Sequence, residues 1–127
     1  VNHLARHLGD GDPERWDDAV RGALTFRTLF SREITPTRGL TAGVAEFAPG
    51  ERLAPHWHVA PELYVVQSGD GVVDLGDDAL PVRTGSTVFV PGGAVHGIRN
   101  TTSSTLSVFY ALAADGFADV EYHFTEE

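Results

Sequence analysis

An all-β sandwich or barrel with a short helix near its start is the fold class that the sequence predicts. Short runs rich in β-branched and aromatic residues recur along the chain, and Gly/Pro-rich turns punctuate them. Only one stretch, residues 12–22, spaces its apolar side chains like a helix. A length of 127 residues suits a single domain, 1–127, that buries a core without staples.

Residues 1–11 form a polar lead-in. His3 and His7 stand at i,i+4, a spacing that chelates a metal on a helix, although a solvated terminus accounts for them equally well. Asp12 suits an N-cap and Pro13 a first helical position, with Trp16, Ala19, Val20 and Ala23 following at helical spacing. That pattern predicts a helix to about Gly22, anchored on the core by Trp16. Residues 24–29 and 40–47 read as strands separated by the turn-rich 35–39, and 48–50 turns again. Residues 68–71 read as a tight hairpin turn. Strands are expected at 72–75, 80–82, 86–90, 95–98 and 106–112, with a final pairing somewhere in 120–124.

Charge and composition narrow the partners. The formal net charge of −9 argues against nucleic acid and anionic membranes, which call for a basic footprint. With no cysteine, disulfides and thiolate metal sites are excluded. No stretch is apolar for long enough to span a membrane and no signal peptide is visible, so a cytoplasmic protein is the expectation.

The chemistry gathers in residues 50–69. His56 and His58 are one residue apart, and Glu62 follows four residues after His58. Along a strand, residues of equal parity share a face, so both imidazoles point one way and Trp57 the other. Glu62, Tyr64 and Val66 keep that parity, while Pro61 interrupts the strand because it cannot donate to a ladder. Two imidazoles and a carboxylate converging on one face make a metal site.

The spacing of these residues resembles that of the cupin superfamily. Its first motif is present as Gly50, His56, His58, Glu62 and Gly69, and its second as Gly85, Pro91, Gly93, His96 and Asn100. Residues 70–84 separate the two motifs, the short microbial spacing. The resemblance implies a conserved double-stranded β-helix (jelly-roll barrel) holding one divalent ion, with His56, His58, Glu62 and His96 as ligands and Asn100 stabilising a turn. It also implies a homodimer, for which residues 24–29 are the expected exchanged or packed strand. More narrowly, the chain is similar to the short cupin-type dimethylsulfoniopropionate (DMSP) lyases. The shared features are Gly43-x-Ala45-Glu46-x-Ala48-Pro49-Gly50, Glu62-x-Tyr64-Val65-Val66 and Phe117-x-x-Val120-Glu121-Tyr122. In those lyases tyrosines at the positions of Tyr64 and Tyr122 sit at the metal.

Oxygen and nitrogen donors suit Fe, Mn, Ni, Co or Zn, and the sequence does not choose among them. Tyr64, turned inward by its parity with Glu62, becomes a candidate general base if a dication lowers its phenol from roughly 10. Tyr122 is a candidate for orienting substrate or acting as a second base. An inward packing role stands beside both assignments. The leading reading is a metal-dependent lyase that cleaves a small carboxylate by β-elimination, with DMSP giving dimethyl sulfide and acrylate. An Fe(II) dioxygenase, a small sugar or acid isomerase and a non-catalytic binding cupin remain open. The isomerase calls for a polar, basic pocket, whereas the inward positions here are mostly apolar. A sulfonium substrate calls for an aromatic wall, for which Phe26, Phe30, Phe47, Phe109 and Tyr110 are candidates.

Overall fold

A computed structural model describes residues 4–125 of the chain. Eleven strands appear among them: β1 (Pro13–Asp18), β2 (Gly22–Phe30), β3 (Thr41–Phe47), β4 (Arg52–Trp57), β5 (Glu62–Ser68), β6 (Asp70–Leu75), β7 (Asp78–Arg83), β8 (Thr87–Val90), β9 (His96–Arg99), β10 (Leu106–Leu112) and β11 (His123–Phe124). A single 3-10 turn, Phe117–Asp119, is the only helical element among the described residues.

The strands run through one sheet in the order β7-β6-β9-β4-β2-β3-β10-β5-β8, with β1 added to β2 and β11 to β4. The two ends of the path, β7 and β8, follow each other in the chain, and the turn between them is held on β5, where Gly85 N donates to Val66 O and Val66 N to Ser86 O, each at 2.9 Å. The result is a nearly closed all-β barrel, as expected. Period-two alternation sets the inside: Leu106, Val108, Tyr110 and Leu112 of β10 point inward, as do Glu62, Tyr64 and Val66 of β5. Phe47, Val73, Val90 and Leu106 are fully buried in the core, each contributing about 1.5–3 kcal/mol through burial.

The expected helix at 12–22 is a strand and a turn instead. The periodicity was coincidental: Trp16 lies in β1, Ala19 and Val20 are exposed in a turn, and Ala23 belongs to β2. Asp18 drives the reversal, its Oδ1 accepting from Val20 N at 2.9 Å and Arg21 N at 2.7 Å, which closes an Asx-type turn into β2. Pro13 opens an outer strand, where its missing N–H costs nothing. The anchoring role of Trp16 survives, since its ring meets Phe26 edge-on at 5.5 Å.

Residues 68–71 are not a hairpin either. β5 pairs with β8 and β10, whereas β6 pairs with β7 and β9, so the chain crosses from one side of the barrel to the other. Gly69 makes the crossing with φ +88, its backbone so close to Thr105 that a Cβ would sit 2.4 Å from the carbonyl oxygen. The remaining expected strands are present with ends shifted by a residue or two, apart from the last, which is only His123–Phe124. The candidate exchange strand, residues 24–29, is internal: β2 carries β1 on one side and β3 on the other, so β1 holds the free edge. His3 lies outside the described residues, and His7 sits exposed in a loop, its Nδ1 accepting from Gly9 N at 3.0 Å.

Candidate metal centre

Three strands and one loop deliver the four residues that the sequence singles out. β4 carries His56 near its end, the following loop carries His58, β5 opens with Glu62 and β9 opens with His96. His56 and His96 are cross-strand partners. β4 ends at Trp57 and β5 opens at Glu62, so His58 sits off the ladder in the loop between them, yet its ring joins those of His56 and His96. All three imidazoles are 1% exposed and Glu62 is 7% exposed, which places four polar groups inside an apolar barrel.

Each imidazole is oriented from behind. His56 Nδ1 lies 2.8 Å from Ala54 O, His58 Nδ1 2.8 Å from Ala60 O and His96 Nδ1 2.9 Å from Ala94 O. A carbonyl only accepts, so each Nδ1 carries the proton and each Nε2 presents a lone pair. The ligand atoms of the three histidines lie within 4.8 Å of one another. Glu62 Oε1 is 3.2 Å from both His58 Nε2 and His96 Nε2. Lone pairs and a carboxylate facing one another in a buried space demand a cation between them, and three nitrogens plus one carboxylate fit a divalent transition metal.

The electrostatics agree with that geometry. Burial, reinforced by neighbouring His96, lowers the His56 imidazole to about 4. Burial also disfavours charge on His58, but the Glu62 carboxylate outweighs it and raises that imidazole. Burial would raise Glu62, yet in the metal-free centre a proton on the facing Nε2 of His58 or His96, hydrogen-bonded to its carboxylate, holds it below the ordinary carboxylate range.

Next to this cluster lies a cavity of about 50 Å³. His56, Glu62 and Tyr64 lie along it, and so do Tyr110 and Tyr122, so all 3 tyrosines of the chain meet there. Tyr64 is buried and its hydroxyl has no hydrogen-bond partner among the described residues, although the Glu62 carboxylate is close by. Burial and then the Glu62 charge push this phenol well above its ordinary value. The Tyr122 ring lies 5.4 Å from that of His56 and 5.3 Å from that of His58, and burial raises its phenol too.

Of the candidate wall residues, Phe26 and Tyr110 line the cavity, while Phe30, Phe47 and Phe109 do not. Trp16 and Phe117 do, unanticipated from the sequence. Trp16 was hidden by the helical spacing around it, and Phe117 lies in a turn without periodicity. No arginine or lysine lines the cavity among the described residues. Trp16, Phe26, Phe117 and Tyr122 also border an outer cleft of about 980 Å³, so an aromatic ring separates the histidines from the open surface. Trp57 points away, stacked on His123 at 4.1 Å. Asn100 serves a turn, its Nδ2 donating to Phe47 O and Ser104 O at 2.8 Å each.

Comparison with known proteins places this geometry. The chain is 34% identical over 108 residues to dimethylsulfoniopropionate lyase DddW of Ruegeria pomeroyi, a match covering 85% of this chain and 70% of that protein. The fold superposes on the polyketide cyclase RemF from Streptomyces resistomycificus with a TM-score of 0.79 and 22% identity, covering 97% of this chain and 87% of that one. It also superposes on a structure of DMSP lyases RdDddP and RnDddQII with a TM-score of 0.68 and 23% identity, covering 81% of this chain and 53% of that one. These two likenesses establish the barrel. The family model for the cupin domain matches residues 43–112, which include all three clustered histidines and Glu62, and the chain belongs to the cupin family.

Proposed function

We propose that this cupin is a metal-dependent lyase that cleaves a small carboxylate by β-elimination, with DMSP as its substrate. The 34% identity to a DMSP lyase across 85% of the chain carries the proposal. His56, His58, Glu62 and His96 would hold the divalent ion. When bound, that ion supplies Lewis acidity, which acidifies the proton α to a substrate carboxylate and favours the phenolate of Tyr64.

The chain's own residues do the rest. Tyr64 Oη takes the α-proton, and the electron pair left behind forms the C2=C3 double bond. The C3–S bond breaks with its electrons on sulfur, releasing neutral dimethyl sulfide and leaving acrylate. Because a sulfonium departs as a neutral molecule, no residue has to protonate the leaving group. Tyr122, against His56 and His58, orients the substrate. The aromatic ring of Trp16, Phe26 and Phe117 faces the sulfonium and excludes water.

Anaerobic assay of purified protein with DMSP and one metal at a time tests this reading. Dimethyl sulfide release that needs a metal and no oxygen supports it and sets aside the dioxygenase. We also propose a homodimer. Leu63 and Phe89, cross-strand partners on β5 and edge strand β8, are 40% and 63% exposed and suit a covered face. Light scattering that returns a monomer mass at micromolar concentration would refute the dimer.

A further inference from the structure

A row of four residues crosses the barrel wall beside the cavity. Tyr64 on β5 pairs with Tyr110 on β10, Tyr110 pairs with Gly43 on β3, and Gly43 pairs with Thr28 on β2. Gly43 leaves the space that the Tyr110 side chain occupies, since a Cβ there would lie 2.5 Å from the Tyr110 hydroxyl oxygen. The phenol therefore lies over the glycine and reaches toward Thr28, its near neighbour. The two hydroxyls face only each other and have no further partner among the described residues, although both oxygens are buried and Tyr110 is only 5% exposed. Tyr110 lines the cavity beside the histidines, and Thr28 lines the outer cleft that adjoins it.

Buried hydroxyls without partners are uncommon, because leaving one unsatisfied is costly and two apolar side chains would fill the same space at lower cost. With Thr28 beside Tyr110, the pair still keeps one O–H with nothing to donate to, at the edge of a cavity whose other wall is aromatic. We propose that Thr28 and Tyr110 form a second polar anchor, a hydroxyl pair that donates to one oxygen of a small carboxylate whose other oxygen lies toward the histidines. The pair thereby selects substrates bearing an acceptor oxygen over apolar or purely cationic molecules of the same size. This inference rests on the reading of the cavity as a carboxylate site, and it adds a specificity-determining pair to Tyr64 and Tyr122.

The test uses the 127-residue protein loaded with Mn(II), as wild type, Tyr110→Phe, Thr28→Val and the double variant. Acrylate binding is measured by titration calorimetry, and DMSP cleavage by its KM and kcat. Metal content and melting temperature are recorded for each protein. Loss of the hydroxyl is expected to weaken acrylate binding roughly ten- to hundredfold. KM for DMSP should rise more than kcat falls, with metal content unchanged. The double variant should lose less than the two single losses combined, as partners on one oxygen require. Equal acrylate affinity in all four proteins, or no acrylate binding by the wild type, would overturn the inference. Normal acrylate binding without dimethyl sulfide release would instead defeat the lyase reading and leave the hydroxyl pair standing.

Discussion

His56 and His96 face each other across β4 and β9 with ring centroids 4.2 Å apart, although 40 residues separate them in the chain. The strand register, together with the carbonyls of Ala54 and Ala94, fixes both rings before any ion arrives. His96→Ala removes one nitrogen and also one of the two imidazoles on Glu62 Oε1. The expected outcome is protein that folds but purifies with less than about a tenth of the wild-type metal content, read by elemental analysis. Unchanged metal content would refute the ligand assignment.

The metal-free protein should lose stability on acidification. His56 titrates at about 4 in the fold against 6.5 when exposed, so between those values the unfolded chain binds more protons. Its stabilisation is complete above pH 6.5 and is lost as pH falls toward 4. Glu62, held below its ordinary value, adds a further loss below pH 4.5. His58 acts in the opposite sense: its stabilisation is fully present below pH 6.5 and is lost above it, as pH rises through the raised folded value. Melting temperature in chelator should therefore peak near pH 6.5 and fall toward pH 4. A rise over that acid range would contradict the burial of a neutral His56.

Tyr64→Phe keeps the ring and removes the group assigned to proton transfer. Metal content should be unchanged and turnover of DMSP should fall about 10²–10⁴-fold. The neighbouring Glu62 carboxylate keeps His58 and His96 as partners, so the melting temperature should change little. Retained turnover would remove Tyr64 as the base.

Trp16 is the largest ring at the mouth of the cavity, meeting Tyr122 edge-on at 5.7 Å and Phe26 at 5.5 Å. If these faces hold a sulfonium, Trp16→Leu should raise KM for DMSP about 3- to 30-fold, a cation–π loss of roughly 0.5–2 kcal/mol. Acrylate, which has no cation, should bind with nearly wild-type affinity. An equal loss for both molecules would show a general collapse of the mouth.

The barrel and its four polar inward groups were legible because parity and motif spacing are local properties of a chain. His56, His58, Glu62 and Tyr64 needed only a strand period to share a face. His96 was placed by motif resemblance, since a contact with β4 depends on register. The first strand was misread because Trp16, Ala19, Val20 and Ala23 mimic a helical stripe, and only pairing with β2 decides against it. The turn at Gly69 was misread because a glycine-rich tetrapeptide fits a hairpin and a crossing equally, and the next strand's partners settle which one forms. The row from Tyr64 to Thr28 was invisible for the same reason, since its four residues meet only through the register of β5, β10, β3 and β2.

The most direct measurement is gas-phase detection of dimethyl sulfide from purified protein and DMSP without oxygen, with Mn, Fe, Ni, Co and Zn supplied separately. The account predicts release with at least one metal, none in chelator, and none from Tyr64→Phe loaded with that metal. No release with any metal, from protein shown to be folded and metal-loaded, would contradict it and leave a cupin whose three-histidine centre serves other chemistry.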